Sequence, residues 1–110
     1  MKTIWRYEIP NQECFWLDIP QGSHVISVQL KDGAPHLWAI VETESKLEHR
    51  MFTLVVTGQS LSDAFLVSHS YVGMFQLMGD GPTLVFHLFE AVDMGERRIA
   101  QERKLLWSQL

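Results

Sequence analysis

Cysteine is almost missing from this chain: Cys14 is the only one in 110 residues. A single thiol excludes an internal disulfide and a thiolate zinc site, and it fits a reducing compartment. No apolar run of transmembrane length and no secretory leader is visible, so the expectation is a soluble intracellular protein without a membrane partner. Positive charge is scarce as well. Nine Lys and Arg stand against thirteen Asp and Glu, a net charge of −4, which argues against nucleic acid or an anionic membrane as partner. Repeats, low-complexity tracts and linkers are also lacking. What is present is 46% hydrophobic and includes four tryptophans, enough for the core of one globular domain.

Residues 3–90 are a series of short segments rich in β-branched and aromatic residues. Their composition and period-2 alternation predict strands at 3–9, 13–19, 24–31, 36–43, 49–57, 70–78 and 83–90. The breaks between them carry turn chemistry: Pro10-Asn11, Pro20-Gln21-Gly22, Asp32-Gly33-Ala34-Pro35, Gly58 and Gly79-Asp80-Gly81-Pro82. Seven strands at this spacing predict a mainly β domain over 1–90, a small antiparallel β-sandwich or barrel. Residues 91–110 lose the alternation and read as a C-terminal α-helix near 94–108, an extension of the same domain. Charge changes there too. Five basic and ten acidic residues precede Ala91, whereas four basic and three acidic follow from it onward.

Alternation assigns Phe15, Leu17 and Ile19, then Ile26, Val28 and Leu30, then Phe52, Leu54 and Val56, then Leu84, Phe86 and Leu88 to a core face. The opposite face is unusually apolar: Trp5, Tyr7, Trp16, Trp38, Ile40, Val55, Val72, Met74, Val85 and Phe89 fall on it. A sheet wetted on one side is more polar than this, so a cover is expected: the terminal helix in cis or a second subunit. The expected assembly is a homo-oligomer, a dimer before other forms. The long connection from Gly58 to His69 reads as a short helical turn capped by Ser60 or Ser62, with Phe65, Leu66 and Val67 against the body.

Chemistry-bearing patterns are sparse. The histidines at 24, 36, 49, 69 and 87 show no i, i+2 or i, i+4 pair, which speaks against a metal site. A Ser68 or Ser70 nucleophile with His69 and Asp63 lacks any elbow signature, and adjacent strand residues point to opposite faces. Gly79-Asp80-Gly81 is a hairpin turn without the helix or Lys-Ser/Thr of a phosphate cradle. The reading is therefore no enzyme, no catalytic residues and no cofactor. Binding candidates are His87, inside the last apolar strand, with Trp38 or Tyr71 as its aromatic surroundings. Arg6 and Arg50 join them as guanidinium groups for a ligand phosphate or carboxylate. The plainer alternatives are a hydrogen-bonded histidine, and arginines paired with Glu8 or Glu48.

Four stretches, TIWRYEI, LDIPQGSHVISVQLKDGAPHLWAIVE, MFTLVVTGQSL and YVGMFQLMGDGPTLVFHLFE, together resemble a family of short bacteriophage and prophage proteins, a domain of unknown function. The resemblance covers residues 3–90. Its signatures are Leu37-Trp38-Ala39, Phe75-Gln76-Leu77 and the segment from Leu84 to Glu90, and the last twenty residues extend past it. No site residue carries over. The resemblance implies a small accessory protein working in the host cytoplasm by binding, as a counter-defence factor that inhibits a host defence protein or sequesters a nucleotide-like signal. The alternative is a structural or assembly accessory protein whose apolar face only builds a homo-oligomer.

Overall fold

A computed structural model describes residues 1–92. It holds seven strands in two antiparallel sheets: β1 (Lys2–Glu8), β2 (Cys14–Pro20), β3 (His24–Lys31), β4 (Ala34–Glu42), β5 (Leu47–Val56), β6 (His69–Leu77) and β7 (Leu84–Ala91). One short helix, α1 (Asp63–Ser68), lies between β5 and β6. Each strand falls within two residues of its expected limits. The helix expected near 94–108 lies outside the described residues. No helix among the described residues is long and apolar enough to cross a membrane.

The three-stranded sheet runs β1-β4-β3 and the four-stranded sheet β2-β5-β7-β6. The chain therefore changes sheet between β1 and β2, between β2 and β3, and between β4 and β5. Local chemistry closes the hairpins. Asp32 and Gly33 both take positive φ, 53° and 80°, between β3 and β4, which is the two-residue turn that matches strand twist. Ser62 caps α1 by accepting a hydrogen bond from the Phe65 backbone N–H at 3.0 Å.

The sheets share one core in a sandwich-like arrangement. Val28, Leu37, Ala39 and Val41 come from the three-stranded sheet; Phe15, Phe52, Phe75 and Leu88 come from the other. Phe15 stacks on Phe52 with ring centroids 5.5 Å apart, and Phe75 stacks on Phe86 at 5.4 Å. Where β3 meets β6, Gly73 lets the backbone approach Val28: a Cβ at this glycine would stand 3.2 Å from Val28 Cγ2.

Two bulges correct the expected faces. A register shift between Val25 and Ser27 leaves Ile26 out of the ladder. Val25 consequently packs inward and Ile26, expected in the core, is 45% exposed; Leu30, also expected there, keeps the same side as Val28 but near the end of β3 is 41% exposed. A second shift between Tyr71 and Gly73 turns Val72 toward the core. Trp5 and Tyr7 also change sides. They pair with the buried Ala39 and Leu37, and directly opposed residues of an antiparallel ladder share a face. Leu84, expected inside, is exposed at the start of β7.

Candidate functional site

The outer face of the four-stranded sheet carries the richest side-chain chemistry. Register places Cys14, Trp16 and Asp18 of β2 there, with His49, Met51, Thr53 and Val55 of β5. Val85, His87 and Phe89 of β7 follow, with His69, Tyr71 and Met74 of β6. Part of this face is covered by α1 and the loop before it. Phe65 packs edge-on against Phe89, with centroids 5.2 Å apart, and lies stacked on His69 at 3.9 Å. Val55 and Phe89 are buried as a result. Leu66 and Val67, expected against the body with Phe65, are instead exposed, because a six-residue helix buries only one narrow stripe.

Tyr71 and His87 come together here, as one of the sequence alternatives had them. The Tyr71 hydroxyl is 2.9 Å from His87 Nδ1, and Thr57 Oγ1 is 2.7 Å from His87 Nε2. A neutral imidazole offers one donor and one acceptor, and each hydroxyl can take either role, so the ring is fully satisfied and held in place. Tyr71 also meets Phe89 edge-on at 5.3 Å. The far end of the same face repeats the device. Asp18 Oδ1 lies 2.6 Å from His49 Nδ1, and the His49 ring stacks on Trp16 at 4.4 Å and 4°. Trp16 and Tyr71 are each 54% exposed. Between α1 and β2–β5 runs an open cleft of about 430 Å³, lined among others by Cys14, Met51, Thr53, Leu61, Phe65 and His69.

The other expected residues are elsewhere. Arg50 points inward at the end of β5, where its Nε donates to Glu90 Oε1 and its Nη1 donates to the Ser23 carbonyl at 2.6 Å. Glu48 stands 3.6 Å away. This arginine joins β5 and β7 to the turn before β3, and Glu48, the carboxylate named in the plainer alternative, is the more distant of its two acidic partners. Arg6 and Trp38 are directly opposed in the β1–β4 ladder, on the outer face of the three-stranded sheet. They belong to a surface separate from His87, so Trp38 does not join its aromatic surroundings. Among the described residues, no carboxylate pairs with Arg6.

Ser68 and His69 do meet, against the expectation from strand geometry: Ser68 Oγ is 2.9 Å from His69 Nδ1. Ser68 ends α1 rather than starting β6, and so it turns back on its neighbour. Both groups also bond helix carbonyls: Ser68 Oγ lies 2.8 Å from Ala64 O, and His69 Nδ1 lies 3.0 Å from Phe65 O. They close the helix end, and the hydroxyl is not directed at a free ring nitrogen. Among the described residues no group of three His, Cys, Asp or Glu is placed to hold a metal ion. Burial pushes the Tyr7 phenol above its usual 10.0, but Tyr7 faces the core.

Alternation had already put Trp16 on this face, but sequence reasoning missed Asp18, His49 and Thr57 as its members. Asp18 and His49 are 31 residues apart and Thr57 and His87 are 30 apart, so only strand pairing unites them. A family described as a domain of unknown function (DUF7352) matches residues 1–98, eight residues past the segment that ends at Glu90. No curated protein and no solved structure is similar enough to match.

Proposed function

We propose that this chain, which belongs to the DUF7352 family, is a non-enzymatic binding protein that offers the outer face of its four-stranded sheet to a partner protein. One observation carries this reading. Trp16 and Tyr71 stand more than half exposed on a single face, and each is held by a histidine that is itself tied to a third side chain. Aromatic side chains fixed before contact lose little entropy on binding, which is the property of interface anchors. The cleft beside α1 receives an apolar side chain of the partner, with Cys14 and Thr53 among the residues that line it.

Two occupants come to mind for an accessory protein of this size, a host defence protein and a nucleotide-like signal. The protein is favoured. A nucleotide needs cations for its phosphates, and of the two arginines among the described residues Arg50 is neutralised by Glu90 and Glu48 while Arg6 lies on the other sheet. The phage setting, the host cytoplasm and the counter-defence role are parts of the same proposal, and the resemblance of the four sequence stretches supports them. The assembly-accessory reading has its own support in β1, which among the described residues has a neighbouring strand on one side only.

The test is phage plating on bacterial strains that each carry one defence system, with and without the protein. Restored plating in one strain, lost in Trp16→Ala and Tyr71→Ala proteins that keep their folded spectra, is the expected result. Plating unaffected in every strain defeats the counter-defence reading. Restoration that both variants retain defeats the assigned face.

A further inference from the structure

We infer that β1 is a self-pairing edge, through which two copies of the chain join their three-stranded sheets about a twofold axis at Trp5. The strand ends its sheet, with β4 on one side and no described strand on the other. Its seven residues hold one uninterrupted register, with none of the proline or bulges that blunt natural edges. Apolar side chains stand uncovered on both of its faces: Ile4 is 54% exposed on the outer side and Trp5 40% exposed on the core-facing side.

The existing ladder decides which backbone groups are free. Ile9 donates to the Pro35 carbonyl and Thr43 donates to the Met1 carbonyl, so the odd-numbered residues of β1 bond to β4. Antiparallel bonding alternates along a strand, and so Lys2, Ile4, Arg6 and Glu8 point their N–H and C=O groups away from the sheet. A second copy must therefore pair even residues with even residues. Three central registers satisfy that condition. Centring on Ile4 sets Lys2 opposite Arg6 of the copy, and centring on Arg6 sets two arginines face to face. Both oppose like charges. Centring on Trp5 sets Lys2 opposite Glu8 and Ile4 opposite Arg6, so each end of the ladder gains an opposite-charge pair.

That register also suits the tryptophan. Trp5 becomes a non-hydrogen-bonded pair with its own copy, the position where opposed side chains approach most closely. Each ring then covers the other at the rim of the core where Trp5 is now exposed. On the outer side the aliphatic stem of Arg6 lies across Ile4 of the copy. The product is a continuous six-stranded sheet, β3-β4-β1 joined to its twofold mate. The inference is independent of the partner-binding reading, which concerns the other sheet.

The test is sedimentation equilibrium of the full chain. The expected mass is that of a dimer. Lys2→Glu and Glu8→Lys each set like charges at both ends of the ladder and are expected to raise the dissociation constant roughly tenfold, whereas the double swap restores pairing. Ile4→Pro removes an N–H that β4 does not use, and it is expected to give a folded monomer. In a Cys14→Ser background, Trp5→Cys places two thiols across the axis and is expected to form a disulfide-linked dimer on oxidation. A wild-type monomer up to high micromolar concentration overturns the inference. So does a dimer indifferent to the charge swaps, which assigns the contact to another surface.

Discussion

At the scale of single residues, Arg50 shows how a side chain with the composition of a ligand anchor becomes a structural tie. Its guanidinium and the Glu90 carboxylate are both largely withdrawn from solvent, and the Ser23 carbonyl takes a further bond. Removing one partner of such a group strands the other without compensation. Arg50→Ala is expected to cost about 2–3 kcal/mol, and Glu90→Gln less because the amide still accepts a hydrogen bond. Urea unfolding midpoints measure both. His87 has the opposite character: both ring nitrogens are satisfied by hydroxyls at the surface, where exchange with water makes each bond worth little to stability. Its value lies in holding Tyr71 still.

At the scale of elements, the bulges and the β3–β6 approach determine which alternation reaches the core. Ile26 has the composition of a buried residue and would be buried in an unbroken strand. One extra residue moves Val25 to the inner face in its place. The contact of Gly73 with Val28 closes the two sheets on that side. A β-branched residue there must displace the Val28 methyl that stands 3.2 Å from the added Cβ. Gly73→Val is expected to destabilise by about 1–3 kcal/mol, the range of overpacked sites, and Val28→Ala in the same chain to recover part of the loss. Thermal melts of the single and double variants decide this. The cover of the second face is likewise a matter of elements. A six-residue helix, capped by Ser62 and anchored by Phe65, buries Phe89 and leaves Trp16 bare.

At the scale of the whole molecule, every strand crosses to a partner outside its own neighbourhood except in the β3–β4 and β6–β7 hairpins. β1 waits for β4, and β2 waits for β5, so the core forms only when residues far apart in the chain have met. Such a domain is expected to unfold in a single transition and to refold on the millisecond-to-second scale. Phe52, fully buried and stacked on Phe15, belongs to the cluster that both sheets share. Phe52→Ala is expected to lower the stability of the whole by about 3–5 kcal/mol. Tryptophan fluorescence and far-ultraviolet dichroism should shift together; separate transitions would mean that the sheets fold as two units.

Much of this architecture was written in the sequence. Strand number, strand limits to within two residues, the Asp32-Gly33 turn and a serine cap at position 60 or 62 all follow from alternation and turn chemistry, which act over a few residues; the fold then selects Ser62. The Tyr71–His87 contact was foreshadowed in the same way, by aromatic residues near a histidine on strands expected to pair. Tertiary structure alone decided the rest, because period-2 patterning states that two faces exist and not which one meets the core. It turned Trp5 and Tyr7 inward through β4, sent Arg50 to Glu90, and parted Arg6 and Trp38 from His87 by placing them in different sheets. It also assembled Asp18, His49 and Trp16, whose separation in the chain carries no signal of contact. Pairing across sheets is a long-range choice, set by which apolar surfaces can be buried together, and short-range chemistry does not contain it.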